Sequence, residues 1–167
     1  MFRKLLPAAV LAGSYAGFVA ALMLTYDKLP PRVASHFNAS GIPDGWMPRN
    51  AYVWSMVGIG VYLPAFMIGS FYVVRFCSPS VINLPNRDYW LAPERSAESN
   101  DILFRFGLWL ASLVVLLVLG LHLLTVAANT ARPVVLSSYV WAILAGFLAG
   151  VGALVFFLCR RFQRLPE

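Results

Sequence analysis

One polar segment of the chain carries side chains whose types and spacing could support binding chemistry. It holds an imidazole, an amide and a carboxylate at His36, Asn38 and Asp44. Imidazole and carboxylate both ligate divalent metals, and a histidine near an acid can act as a pH switch. The spacing matches no standard zinc pattern. Three uses stay open: structural closure of the loop, recognition of a ligand or partner, and metal binding.

A second polar cluster follows later in the chain and is rich in amide and aromatic groups. Two interpretations stay open for it. It is either a rigid surface loop anchored by its aromatic rings, or a docking site for a soluble partner or a lipid head group. Its candidate partner-binding residues are Asn83, Pro85, Asn86, Asp88, Tyr89 and Trp90.

A third candidate lies inside an apolar stretch. His122 is the only titratable side chain well within such a run, and ionisable groups in that setting are functional candidates. If the first polar segment folds back, His36, Asp44 and His122 could share one polar pocket and hold a metal. The alternative is a neutral histidine bonded to a backbone carbonyl or to Thr125.

Composition and hydropathy indicate the elements that must position these groups. Hydrophobic residues make up 60% of the chain and charged residues 12%, against about 25% charged in a soluble domain. Apolar runs of about 20 residues can span a membrane, and in lipid they must be helical. We therefore predict an all-α integral membrane four-helix bundle, a single domain over 1–167. Its spans are 5–25, 51–74, 106–128 and 134–159, with loops at 27–50 and 75–101.

The basic residues predict the orientation of the bundle. Nine lysines and arginines lie on the side of the termini and the 75–101 loop, against four on the other side. The positive-inside rule then places both termini in the cytoplasm and the 27–50 loop outside. The first apolar run exceeds the usual core of a signal peptide, so we expect a retained helix in a bacterial cytoplasmic membrane.

Smaller patterns refine the helices. Pro93 and Glu94 favour a helix start that runs into the third span, with Asp101 and Arg105 as an i,i+4 pair. Pro64 should kink the second span. Small residues at Gly13/Gly17 and Gly146/Gly150 let helices approach closely. We expect these faces to pack within the chain, with an oligomer contact as the alternative.

Several function classes lack their usual signals. The net charge of +6 comes from residues at the span ends, so it does not indicate nucleic-acid binding. Intramembrane zinc, serine-nucleophile and phosphate-loop motifs are missing, and no span carries an acidic pair. Cofactors stay unknown, and the sequence leans away from an enzyme.

Two motifs carry a family resemblance. Leu29-Pro-x-x-Val, then His36-Phe37-Asn38 and Gly41-x-Pro43-Asp44-Gly45-Trp46, resemble a bacterial membrane domain of unknown function. The same domain opens the immunity proteins that protect bacilli from the sporulation-delay (Sdp) toxin. Asn83-x-Pro85-Asn86-Arg87-Asp88-Tyr89-Trp90 is similar to the second signature of that group. The immunity proteins continue with further membrane segments.

The resemblance implies a multi-span inner-membrane protein that neutralises a membrane-active peptide toxin and signals its presence. It also implies that one set of outer-loop residues acts as a unit. Those candidate ligand-binding residues are His36, Asn38, Gly41, Asp44, Gly45 and Trp46.

Together these observations predict a membrane-embedded binding or sensing module. Its outer loop would recognise a peptide, lipid or partner protein, and the 83–90 loop would pass the bound state to a cytoplasmic partner. One alternative is a metal-dependent membrane enzyme or metal carrier that uses His36, Asp44 and His122. A second alternative is a structural subunit of a larger membrane complex. In each case the lipid bilayer is an expected partner of the chain.

Overall fold

The computed structural model describes residues 2–165, with side chains from residue 5 onward, and this part is mostly helical. A π-helical turn, Gly58–Tyr62, joins the second helix to the third. The helices are α1 (Phe2–Thr25), α2 (Arg49–Val57), α3 (Leu63–Val73), α4 (Arg87–Trp90), α5 (Ser96–Thr130) and α6 (Tyr139–Gln163). The strands are β1 (Arg32–Phe37) and β2 (Pro43–Pro48).

Four helical segments in the described part of the chain are long and apolar enough to cross a membrane. They are α1, the continuous segment from α2 through α3, α5, and α6. The predicted set of four membrane helices is confirmed, and the chain is a multi-pass membrane protein.

The third and fourth spans have boundaries that differ from the predicted ones. The helix expected after Pro93 does run into the third span, because α5 is continuous from Ser96. Asp101 and Arg105 form the expected ion pair, with 3.0 Å between Nη2 and Oδ2. The fourth span was predicted to begin at residue 134, but α6 begins at Tyr139.

The non-helical stretch before α6 has a physical reason. Pro133 lacks a backbone N–H and fixes φ, which disfavours an early helix. The backbone N–H of Leu136 donates to the carbonyl of Gly41, at 2.9 Å, instead of to a helical partner. Residues 131–138 therefore form a connection that reaches the loop between the two strands.

Helix α5 is the centre of the bundle and packs against α1, α3 and α6. Phe18 of α1 and Ala111 and Val115 of α5 are fully buried in the core between these two helices. The apolar side chains of α5 pack on neighbours on several sides, which positions its polar residues against other elements.

The π-helical turn packs directly against α1. A Cβ atom on Gly60 would lie 2.5 Å from two ring carbons of Phe18, so only glycine fits there. Buried Pro64 follows directly, at the start of α3. The irregularity expected at Pro64 thus takes the form of a π-helical turn just ahead of it.

An antiparallel hairpin of β1 and β2 occupies most of the segment predicted as an irregular loop. Ala34 pairs with Trp46 and His36 with Gly45, and a bulge lies between Ala34 and His36. The hairpin lies where α1 and α5 end and α2 begins; we call this the hairpin end. The other end, with residues 74–95 and the last turn of α6, is the termini end.

The small-residue faces are largely exposed, contrary to the expectation that they pack within the chain. Gly13 and Gly17 lie on an exposed side of α1, and the nearest atom to a Cβ on Gly17 would be Leu119 Cδ2, at 3.9 Å. On α6, Gly150 faces Leu113, whereas Gly146 is exposed. The reason is that large side chains, such as Phe18, occupy the contact between α1 and α5.

Candidate functional site

The exposed surface of the hairpin carries a histidine–carboxylate pair. His36 Nδ1 lies 2.5 Å from Asp44 Oδ1, and the two side chains are 74% and 46% exposed. The pair is possible because His36 lies opposite Gly45: a Cβ atom there would lie 2.8 Å from His36 Cβ. Gly45 therefore makes room for the imidazole, and Asp44 orients it while its Nε2 stays available to a ligand.

Asn38 and Gly41 build the turn between the strands. Asn38 Oδ1 accepts hydrogen bonds from the backbone N–H groups of Ser40 and Ile42, each at 3.0 Å. Gly41 has φ of 76°, and a Cβ atom there would lie 2.6 Å from the carbonyl oxygen of Leu136. These two predicted ligand-binding residues thus stabilise the turn between the strands.

Trp46 completes the exposed group. It lies opposite Ala34 in the hairpin and is 46% exposed, and nearby Ile42 is 55% exposed. A half-exposed indole next to an oriented histidine–carboxylate pair offers apolar area and polar groups on one small element. Tryptophan is one of the residue types that are enriched among the residues contributing most to binding at protein interfaces.

The opposite side of the hairpin is fixed to the helices. Leu29, Val33, Tyr52 and Val126 form a buried apolar cluster below it. Asn129, at the end of α5, pairs with the backbone of Ala34 through both ends of its amide. The Ala34 N–H donates to Oδ1 at 2.8 Å, and Nδ2 donates to the Ala34 carbonyl at 3.0 Å.

Asn129 was not among the candidate residues, although it is 3% exposed and central to the hairpin's attachment. Its amide takes the place of a neighbouring strand for Ala34. The available signal was an amide near the end of a long apolar run, where a buried polar side chain needs a partner.

His122 belongs to a buried hydrogen-bond chain that crosses three helices. The Thr25 hydroxyl donates its single proton to the carbonyl of Ala21, at 2.6 Å. Its oxygen therefore accepts from His122 Nε2, at 2.8 Å, and the Tyr52 hydroxyl donates to Nδ1, at 3.0 Å. The network assigns a neutral imidazole with its proton on Nε2.

This network separates His122 from the exposed pair. Both His122 ring nitrogens are engaged by Thr25 and Tyr52, and the side chain is fully buried. The structural alternative for His122 expected Thr125 or a backbone carbonyl as its partner, and the structure shows hydrogen bonds between its ring nitrogens and the hydroxyls of Thr25 and Tyr52. Among the described residues, no three His, Cys, Asp or Glu side chains are arranged to hold a metal.

The second polar cluster closes the C-terminus of α6. Asn86 Nδ2 donates to the carbonyls of Phe162 and Gln163, each at 3.0 Å. The Trp90 indole N–H donates to Phe162 at 2.8 Å, and the Ser99 hydroxyl donates to the Trp90 carbonyl at 2.7 Å. The last carbonyls of a helix have no intrahelical donors, so these side chains act as a cap in trans.

The cap uses part of the predicted partner-binding set and leaves part of it free. Trp90 is 1% exposed, and Tyr89 packs against it with the Arg95 guanidinium 4.0 Å from the Tyr89 ring centre. Pro85 is exposed, whereas Asn83 and Asp88 line a polar pocket of about 380 Å³. These last three residues are exposed and do not belong to the set of side chains that caps α6.

Residues 15–61 match the family described as Domain of unknown function (DUF1648). The matched stretch contains the second half of α1, the whole hairpin, and α2. No curated protein and no solved structure matches the chain. The match and the four spans support a membrane-protein domain of unknown function.

The matched stretch contains much of what builds the hairpin end. It includes the His36–Asp44 pair, the turn residues Asn38 and Gly41, and two members of the buried network, Thr25 and Tyr52. His122 and Asn129 lie outside it, on α5. The hairpin and the helical segments next to it are therefore the part of the chain that resembles this family.

Proposed function

We propose that the chain is a non-enzymatic, membrane-embedded binding module whose hairpin recognises a peptide or protein partner. The observation that carries this proposal is the exposed His36–Asp44 pair on an element with a buried attachment. Its neighbour Trp46 adds apolar contact area. Rigid presentation lowers the entropy cost of binding, because the contact groups are already ordered.

The orientation is part of the proposal. The excess of arginine and lysine at the termini end favours a cytoplasmic location for that end. The hairpin then faces the outside of a bacterial cytoplasmic membrane. A membrane-active peptide toxin, as implied by the resemblance to immunity proteins, would meet this surface first.

The termini end has a narrower role in this proposal. Because Asn86 and Trp90 cap α6, we assign a cytoplasmic partner only the pocket lined by Asn83 and Asp88, with Pro85 at its surface. Its polar lining suits a hydrophilic protein segment. A signal would reach it through α5, which contacts elements at both ends.

Photo-crosslinking tests the proposed recognition. A photoreactive phenylalanine analogue would replace Trp46, and in a matched control it would replace Trp54, which is 69% exposed on α2. We expect a discrete peptide or protein adduct at position 46 in host membranes, lost with His36→Ala. Lipid adducts alone, or an equal adduct at position 54, would contradict recognition by the hairpin.

A second candidate function, as a structural subunit of a membrane complex, is favoured by α6. The most apolar part of this helix, which is wholly described, contains no buried residue. Its exposed small residues, including Gly146 and Ala149, allow close approach of another helix. Gly13 and Gly17 on α1 offer a similar face.

The subunit function predicts a stable association in mild detergent. Gly146→Leu should abolish it, whereas Leu148→Ile, on an exposed position of the same helix, should not. Light scattering of the purified protein would measure the assembly mass. If the wild-type protein and the Gly146→Leu variant are both monomers, self-association of the chain is rejected. The same comparison in native membranes would then test association with another protein.

A further inference from the structure

An apolar groove runs between α1 and the segment that follows the hairpin, away from the His36–Asp44 pair. Its volume is about 510 Å³, within the range of ligand sites in proteins. Its apolar lining comes from both helical segments and consists of Val19, Leu22, Met23, Val53, Val57 and Val61. From Val19 to the end of α1 the groove extends roughly 10 Å along the axis, at 1.5 Å per residue.

The groove has a polar mouth at the hairpin end. Tyr26 lines the groove and also a second pocket of about 330 Å³, whose lining includes Arg49 and Asn50. The Tyr26 hydroxyl donates to Asn50 Oδ1 at 2.7 Å, which fixes the ring between the two spaces. An amphiphile could therefore place its apolar part in the groove and its polar part beside Arg49.

Arg49 is held only loosely by its own chain. Its Nη1 lies 3.4 Å from the Tyr26 carbonyl and 3.9 Å from Asp27 Oδ1, and the Asp27 side chain is 96% exposed. The guanidinium also lies 5.0 Å from the Tyr26 ring centre. Contacts this long leave donors for a stronger acceptor, and a phosphate accepts from guanidinium in a bidentate fashion.

The surrounding charge selects an anion. Lys28, Arg32 and Arg49 oppose the single carboxylate of Asp27 at the base of the hairpin. The groove walls face the membrane, since Val19 is 44% and Met23 74% exposed. A membrane lipid at this position could therefore place its acyl chain against the groove and an anionic head group beside the cationic side chains at the base of the hairpin.

We propose that this groove binds an anionic phospholipid, with one acyl chain between α1 and α2 and the phosphate on Arg49. The site is separate from the hairpin surface, and it does not depend on the function proposed above. The bound lipid would fill the space beside Tyr26 and brace α1 against α2.

Native mass spectrometry of the purified full chain in mild detergent tests the site, with phosphatidylglycerol and phosphatidylcholine as probes. We expect one retained phosphatidylglycerol per chain and weaker retention of phosphatidylcholine. Arg49→Gln should reduce retention about tenfold, the effect of one charged hydrogen bond. The matched control is Arg132→Gln, which removes another arginine of the hairpin end and should retain lipid as the wild type does.

A filling variant keeps the test decisive if Arg49→Gln alters the fold. Val19→Trp should displace the lipid, whereas Leu148→Trp, on exposed α6, should not. Equal retention in all variants, equal retention of both lipids, or a bound peptide or second chain in place of lipid would overturn the proposal. His36→Ala should leave retention unchanged, which separates this test from that of the hairpin.

Discussion

The two motif-bearing loops look alike in sequence, yet the structure uses them differently. At the hairpin end, the chemically versatile side chains of His36, Asp44 and Trp46 stay exposed. At the termini end, Asn86 and Trp90 are bonded to the last carbonyls of α6. A polar and aromatic cluster between spans is therefore a candidate for recognition only when its side chains are not already used in contacts that stabilise the fold.

At the hairpin end, small or buried residues make the contacts that stabilise the fold. Asn38 and Gly41 shape the turn, Gly45 makes room for His36, and Asn129 attaches β1 to α5. The resemblance grouped His36 with Asn38, Gly41 and Gly45 as a single unit. The structure divides that group into residues that build the element and residues that are displayed on it.

The largest expected effect is a difference in stability between substitutions at Trp90 and at Trp46. Trp90→Ala should lower the free energy of unfolding by about 4 kcal/mol, because a fully buried indole leaves a cavity and α6 loses a cap. Trp46→Ala, at a half-exposed position, should cost less than about 1 kcal/mol. Denaturant unfolding in detergent micelles measures both, and similar losses would erase the contrast between the loops.

The attachment of the hairpin should give the next largest effect. Asn129→Ala leaves the buried N–H and C=O of Ala34 without their partner, at a cost of about 2 kcal/mol. Hydrogen exchange should then accelerate at the hairpin amides and stay unchanged at Trp90. Uniform acceleration at both ends would show that Asn129 supports the whole bundle instead.

A smaller effect is expected at Asn86, which has φ of 51° in the left-handed region. Asn86→Ala loses the cap and strains the backbone, whereas Asn86→Gly loses only the cap. We expect the alanine variant to be less stable than the glycine variant by about 1 kcal/mol. Thermal unfolding of the two proteins, compared side by side, measures this difference, and equal stability would argue against backbone strain at this position.

The sequence predicts the spans well because hydropathy is a local property. The four membrane helices and the extension of α5 beyond its apolar core follow from composition, Pro93 and the Asp101–Arg105 spacing. The strands were missed because Pro43, Gly45 and Pro48 favour turns, although β2 contains all three. Short strands with such residues form here because the helices below them supply an apolar platform.

The contacts that define the candidate site are mostly long-range, so the sequence does not reveal them. The Ala34–Asn129 pairing joins residues 95 positions apart, and the Thr25–His122 bond joins residues 97 positions apart. The sequence marks His122 as a polar side chain within an apolar run, but its hydrogen-bond partners depend on how α1 and α2 pack on α5. His36 and Asp44 lie within one hairpin, and their short separation in sequence already indicated that the two side chains could meet.

The most direct test of the central claim combines two readouts on His36→Ala. The free energy of unfolding should change by less than about 0.5 kcal/mol, because an exposed histidine–carboxylate contact contributes little to stability. The adduct formed from the photoreactive residue at position 46 should disappear. A stable protein that keeps the adduct, or a destabilised protein with rapidly exchanging hairpin amides, would contradict the assignment of His36 to recognition.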